Sequence, residues 1–295
     1  MIIAATLLAS LLSLPFPLPQ ATQVGTAGAP SQEIDSQEID ADTADARLNP
    51  AQPDFTLVAL PTALRVPRHK SAFRVTHRFT RALGQGDFGD LTSDLFGLDS
   101  GAQIGLEYRV GVIRGGQIGV HRTNDKTIQL FGQYDLVRQV EGRPLGVAAY
   151  VSVDGTNNFR DRYSPALAAV LSREFGRRGA VYVEPIWVGN SNPSDDTANT
   201  AAEDDSTFLL GVGARLRVRP TVYLVGEFTP RVAGFDPGVN QASVAIEKRA
   251  GGHAFQLNFS NAFGTTMGQI ARGGPRAFDG GSNWYLGFNI SRKFF

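Results

Sequence analysis

W-Y-L-G-F-N-I-S-R-K-F-F, residues 284–295, decides the fold. In an extended strand, side chains alternate between two faces. Trp284, Leu286, Phe288, Ile290 and Phe294 then share one face, and Tyr285, Gly287, Asn289, Ser291 and Lys293 share the other. One face suits lipid and the other suits water or buried polar partners, and the chain ends on aromatics. These are the marks of a closing strand in a bacterial outer-membrane β-barrel.

Working backwards, the same period-2 pattern recurs near 71–80, 102–110, 116–122, 126–138, 144–153, 163–173, 179–187, 206–218, 221–232, 242–249 and 252–260. With the last strand this makes twelve, and the fold class expected is all-β: a closed antiparallel transmembrane barrel of about 12 strands. The connections alternate in length. Segments 81–101, 154–162, 188–205 and 261–283 are long, whereas G-V-I-R-G, Q-V-E-G-R, F-G-R-R-G, Arg219-Pro220 and A-G-G are short. Barrels of this kind keep short turns on the periplasmic side and long loops outside. A periplasmic C-terminus puts every long segment outside, with 123–125 the one short connection on that side.

Register follows from energy. In the second strand Ile104, Leu106, Tyr108 and Val110 oppose Gln103, Glu107 and Arg109. Turning an arginine to lipid at the midplane costs ~2–4 kcal/mol, so the charged face points inward. The argument, repeated, lines the lumen with Arg74, Arg78, Glu107, Arg109, Asp135, Glu184, Arg215, Arg217, Glu227, Arg231, Glu247, Arg249 and Lys293. Strands 116–122 and 163–173 are too small or mixed to orient. A soluble sandwich also alternates, but it does not hide this many charges on its inner face without partners.

Ahead of the barrel, residues 2–14 (I-I-A-A-T-L-L-A-S-L-L-S-L) form an apolar block too short to span a bilayer, and it reads as the core of a signal peptide. Cleavage is expected after Ala21 or Ala29, giving a signal over 1–21 or up to 29; the basic residues that usually precede such a core are absent from this stretch. Residues 22–54 carry a tandem S-Q-E-I-D, many acids and few large apolar residues, and read as a disordered acidic leader. Residues 55–70, F-T-L-V-A-L-P and then Arg65, Arg68, His69 and Lys70, read as an extended periplasmic lead-in at the barrel mouth, with the barrel itself over 71–295. Lysine plus arginine and aspartate plus glutamate each number 28, so no bulk field points to nucleic acid. Cysteine is absent, which fits an oxidising envelope without requiring one.

Five long stretches carry a further resemblance: L-G-Q-G-D-F-G-D-L-T-S-D-L-F-G-L-D-S-G-A-Q-I-G-L-E-Y-R (83–109), D-G-T-N-N-F-R-D (154–161), V-R-P-T-V-Y-L-V-G-E-F-T-P-R (218–231), A-I-E-K-R-A-G-G-H-A-F-Q-L-N-F-S (245–260) and F-G-T-T-M-G-Q-I-A-R-G-G (263–274). With the terminal F-N-I-S-R-K-F-F they resemble a bacterial barrel family catalogued as domain of unknown function 5777, over roughly 55–295. The resemblance implies an outer-membrane barrel and brings no established substrate or catalytic residue. Phe288, Ile290, Phe294 and Phe295 make the expected signal for the barrel assembly machinery, with one departure: Phe294 lies on the apolar face and Phe295 does not.

Other constellations have plainer explanations. Gly84, Gly86 and Gly89 spell G-x-G-x-x-G without the βαβ context a nucleotide site needs. His121, Thr123 and Asn124 faintly resemble the H-x-S-N arrangement of outer-membrane phospholipases, but threonine replaces the nucleophile and a polar hairpin rim is the simpler account. Asp195, Asp196, Glu203, Asp204 and Asp205 lack the spacing of a calcium loop, and His69, His77, His121 and His253 are scattered, so no metal or cofactor is expected. Asp154, Asn157, Asn158, Arg160 and Asp161 form a compact loop expected to pair internally.

Function is then expected to be that of a narrow channel or uptake barrel for small solutes, leaning slightly to anions because eight basic lumen side chains face five acidic ones. A closed structural barrel meeting a partner through its loops or leader is the alternative, and a lipase-like enzyme using His121 is the third reading. Lipid and the assembly machinery are the expected partners, nucleic acid is not, and the oligomeric state is open.

Overall fold

The computed structural model describes residues 49–140, 143–192, 205–236, 238–277 and 280–295; the expected signal peptide, the expected leader up to residue 48 and the acids Asp195, Asp196, Glu203 and Asp204 lie outside them. Strands follow in chain order: β1 (Ser71–Ala82), β2 (Ala102–Ile113), β3 (Gly116–Thr123), β4 (Ile128–Val137), β5 (Gly146–Gly155), β6 (Tyr163–Glu174), β7 (Gly179–Val188), β8 (Thr207–Arg219), β9 (Val222–Thr229), β10 (Arg231–Gly234), β11 (Gln241–Ala250), β12 (His253–Ser260) and β13 (Tyr285–Phe294). β1 to β9 pair antiparallel in chain order, β9 pairs past β10 with β11, β11 to β13 follow in order, and β13 pairs with β1, so the sheet closes on itself; β10 pairs with β8 alone. Closure pairs the backbone of the wall strands around the ring, as lipid demands, since an unpaired group there costs several kcal/mol. Pro230, which has no N–H, splits one ribbon into β9 and β10; both run against β8, so the wall has twelve positions.

Alternation is carried through the wall. On β13, Tyr285, Asn289, Ser291 and Lys293 are buried, while Ile290 and Phe294 are exposed. On β3, which sequence left unoriented, Gln117, His121 and Thr123 turn inward, and Ile118 and Val120 outward. On β6 the inward residues are Ser164, Ala166, Val170 and Ser172.

The segment before β1 departs from the sequence expectation. Residues 51–62 are all buried, so the buried segment reaches ahead of the boundary drawn at 54 and runs into the lumen rather than along the mouth. There it makes a tight hairpin. Leu57 N–H donates to Leu60 O at 2.8 Å, and Thr62 N–H donates to Phe55 O at 2.8 Å. The alternation F-T-L-V-A-L-P satisfies its apolar side chains against Tyr182, Val225 and Ile186 of the wall. Residues 67–70 then lie along β2, where His69 N–H donates to Gly111 O at 2.8 Å, before turning into β1.

At the end of the barrel away from the termini, the long connection between β12 and β13 folds inward. It carries α1 (Met267–Arg272), with Met267, Ile270 and Ala271 buried in the same cluster as Leu57 and Leu60. Thus the lumen is filled from both ends by the chain's own segments.

Candidate functional site: the charged lumen and its hairpin

Twelve strands enclose a bore between one that side chains fill and one that stays open. The inner wall is divided by charge. On β1 and β2, Glu107 is the hub of a buried cluster. Its Oε2 accepts from Arg74 Nε at 3.1 Å and Nη2 at 2.5 Å, and its Oε1 accepts from Arg109 Nε at 2.7 Å. Arg78, on the same face of β1, donates to Asn289 Oδ1 at 2.9 Å. Across the bore, Arg215 Nη2 on β8 donates to Glu247 Oε2 on β11 at 2.9 Å. Glu184 on β7 is fully buried, and neither of its carboxylate oxygens has a hydrogen-bond partner among the described residues.

Hairpin and wall are joined mainly through polar groups. Three backbone N–H groups at the hairpin tip, of Val58, Ala59 and Leu60, point at the carboxylate of Glu227, at 3.0–3.1 Å. Such a concave set of amides is a ready anion cradle, and here the wall supplies the anion. Gln256 Nε2 donates to Leu57 O at 2.9 Å, Asn289 Nδ2 to Val58 O at 2.9 Å, Arg215 Nη2 to Thr56 O at 2.6 Å and Arg74 Nη1 to Thr56 Oγ1 at 2.8 Å. At the hairpin base, the Phe55 ring lies 4.9 Å from the Arg109 guanidinium and 5.2 Å from Lys293 Nζ, so two cations hold it by their attraction to its π-face. Lys293 also donates to Pro53 O, and Ser291 to Asp54 Oδ2 at 2.7 Å.

Glycines make the room. A Cβ on Gly213 would stand 2.2 Å from Leu57 Cδ1, and one on Gly211 3.0 Å from Leu60 Cδ1. At Gly111 it would meet Pro67 O at 2.2 Å. The wall is notched where the segment lies, and side chains there would displace it.

The other charges named from sequence sit nearer the two ends. Asp135 meets Arg65 at 3.5 Å. Arg217 donates to Pro220 O at the β8–β9 turn (2.8 Å). Arg231 donates to Asp236 Oδ1 and to Gly238 O, both at 2.5 Å, binding the β10–β11 connection. Arg249 lies on β11, with its Nη1 buried and unpartnered among the described residues. Of the closing-strand residues, Phe288 stacks on His77 at 4.6 Å, and Phe295 packs with Phe55, Val66 and Ala72. The final aromatic therefore serves the hairpin base, which accounts for its offset from the apolar face.

At the far end Asp154 receives α1 instead of pairing within its own loop. Its Oδ2 accepts from Thr266 Oγ1 at 2.5 Å and Gly268 N–H at 2.8 Å, and its Oδ1 accepts from Gln129 at 2.8 Å. Asp125, in the β3–β4 turn, accepts from Gln269 Nε2 at 2.9 Å. Partial burial pushes the Asp125 carboxyl up, but hydrogen bonds from Thr123, the Thr127 amide and Gln269 outweigh it and hold the group below its ordinary value. His121 is buried, 4.0 Å from Glu107, while the Thr123 hydroxyl donates to Asp125 at 2.5 Å. The hydroxyl is thus committed to Asp125, and neither ring nitrogen of His121 has a hydrogen-bond partner among the described residues, so the two do not form a nucleophile–base pair.

Asn289 and Gln256 stand on the inward faces that alternation assigns, but nothing in the sequence ties them to the inserted segment, and Gln52, Thr56, Gln117 and the notch glycines carry no signal of their contacts. The signals available were the apolar content of 55–61, high for a solvated leader, and the G-V-G of 211–213 in an otherwise bulky strand.

A closed, lipid-facing sheet around a charged interior defines a membrane-spanning β-barrel. The sequence matches the model of the membrane bound beta barrel domain, domain of unknown function 5777, over residues 54–294, and the chain belongs to that family. No curated protein sequence matches it. Among solved structures it is similar to the NanC porin (8% identity, 76% of this chain and 98% of that one, TM-score 0.49). It is also similar to the outer-membrane channel DcaP of Acinetobacter baumannii (10%, 76% and 96%, TM-score 0.36) and to outer membrane phospholipase A from Escherichia coli (11%, 80% and 95%, TM-score 0.39). At these identities and scores none of the three bears on what this chain does.

Proposed function

We propose that the protein is an outer-membrane barrel for the passage of small solutes, shut in the conformation seen here by its own N-terminal hairpin. The end carrying both termini faces the periplasm in this reading, because the turns there are short and the long connections lie opposite. The observation that carries it is the chemistry of the wall behind the hairpin: Arg74, Glu107, Arg109, Arg215, Glu227, Glu247, Gln256 and Asn289 form a surface that water would wet once the hairpin left. A slight anion lean follows from the basic surplus among the lumen side chains. The closing strand, with Phe288, Ile290 and Phe294, is the element the barrel assembly machinery would read.

Planar-bilayer recording of the full chain and of Gly213→Leu tests the reading. The leucine displaces Leu57 and leaves the barrel ladder intact, so the variant is expected to conduct far more of the time than the parent, with a reversal potential on the anion side. A second reading, a closed barrel that meets a partner, is favoured by the apolar cluster joining Leu57 and Leu60 to Met267 and Ile270. A correctly folded Gly213→Leu protein that never conducts would establish that reading in place of the first.

A further inference from the structure

The connection between β1 and β2 packs against β1. It contains α2 (Phe88–Ser93) and a 3-10 turn, Leu95–Ser100, and the turn folds back over the outer face of the wall. The evidence is Gly97, whose Cβ, if present, would stand 2.9 Å from Arg81 Cβ and 3.3 Å from Phe79 Cβ. Phe79 shares the outward face of β1 with Phe73, Val75 and His77, as its T-shaped contact with His77 at 4.5 Å and its approach to Phe288 at 6.3 Å confirm. It is only 8% exposed, where the neighbouring outward residues Ile104 and Leu106 are 37% and 51% exposed. The loop covers it.

What the loop presents in exchange is apolar. Phe88 is 72% exposed, Leu95 60% and Leu98 56%, with Phe96 beside Phe88 at 6.4 Å. Several of its polar groups bond within the loop and to Arg81 of β1. Asp94 pairs with Arg81 at 2.6 Å, Arg81 also donates to Asp90 O and Gln85 O, and Asp87 and Asp90 cap α2 reciprocally. Leu95 and Phe96 hold left-handed backbone, φ 50° and 59°, which bulky residues adopt only when surroundings compensate.

We propose that this loop is a membrane-interface foot: Phe88, Leu95 and Leu98 insert at the headgroup–acyl boundary of the leaflet at the far end of the barrel. The occupant is lipid because the face is continuous with the wall's own lipid-facing surface. The aromatic group of His77, Phe79 and Phe288 beneath it is of the kind that girdles such barrels at the interface, and this fixes the depth. An element that exposes Phe88, Leu95 and Leu98 while Asp94 pairs with Arg81 of β1 is the short counterpart of an interfacial amphipathic helix.

The absence of cysteine allows a clean test in the full chain. Phe88→Cys, Leu95→Cys and Leu98→Cys, with Gln85→Cys as the solvent-exposed control, are labelled with an environment-sensitive fluorophore and reconstituted into phosphatidylcholine vesicles. Heat-modifiable migration reports folding of each variant. The labels at 88, 95 and 98 are expected to emit blue-shifted light and to be quenched several-fold more by nitroxide-bearing lipid than by aqueous iodide, with the order reversed at 85. Iodide access at all four positions would overturn the proposal. So would a blue shift that vanishes on dilution with lipid, since the face would then cover a second copy of the chain.

Discussion

Glu227→Gln is the sharpest probe of the hairpin, because it changes one charge and almost no volume. The carboxylate accepts from Val58, Ala59 and Leu60, all within 3.1 Å. Hydrogen bonds to a charged group contribute about 1.5–3 kcal/mol each. A glutamine side chain keeps one acceptor oxygen and turns an NH2 toward amides that also donate, so the equivalent of one to two such bonds is lost, about 3 kcal/mol. At 1.4 kcal/mol per tenfold, the undocked population of the hairpin rises about 100-fold. Hydrogen exchange resolved over residues 55–62, in the folded barrel, reads this directly, because exchange follows local opening. The strand amides of β8 and β11 serve as internal reference and are expected to stay protected. Unchanged exchange at Val58, Ala59 and Leu60 would show that the carboxylate does not hold the tip, and the reasoning would fail.

Glu107→Gln leaves the buried Arg74 and Arg109 facing a neutral group; breaking a buried pair in this way costs about 3–5 kcal/mol, to be read from the urea unfolding midpoint in vesicles, and a shift below about 1 kcal/mol would contradict the cluster's geometry. On the lipid face, Leu106→Arg is expected to destabilise the barrel by about 2–4 kcal/mol in the same assay, and a neutral result would mean that the register is inverted. Asp125 has a depressed folded pKa, so its contribution is present above the unfolded value and is lost as pH falls through the folded one. The Asp125 carboxyl is therefore expected to stay ionised as pH falls to about 4, read from its carboxyl carbon shift, and a titration above that pH would contradict its hydrogen bonds. His121→Ala is expected to leave any phospholipid hydrolysis of the parent unchanged; its loss would revive the enzymatic reading.

The sequence by itself determined the wall. Strand positions, the inward turn of Glu107, Arg109, Arg215 and Glu247, and the outward turn of Ile290 and Phe294 all follow from a period of two and the large penalty for charge in lipid. Those rules are local, so a strand with a charged face announces its own orientation, whereas β3 and β6, small or mixed on both faces, were oriented only by the closed sheet. Only the tertiary structure decided what fills the bore. Nothing near Val58 in sequence indicates that its amide meets Glu227, 169 residues away, or that Gly213 is small because Leu57 lies against it. F-T-L-V-A-L-P has the alternation of a short strand, but its partner surface exists only once the twelve wall positions close into a ring. The G-x-G-x-x-G of 84–89 likewise reads as an ordinary turn, and only Gly97 lying on Phe79 shows that the loop folds outward. Contacts between segments distant along the chain depend on the shape of the closed surface, and that shape is a property of all the strands together.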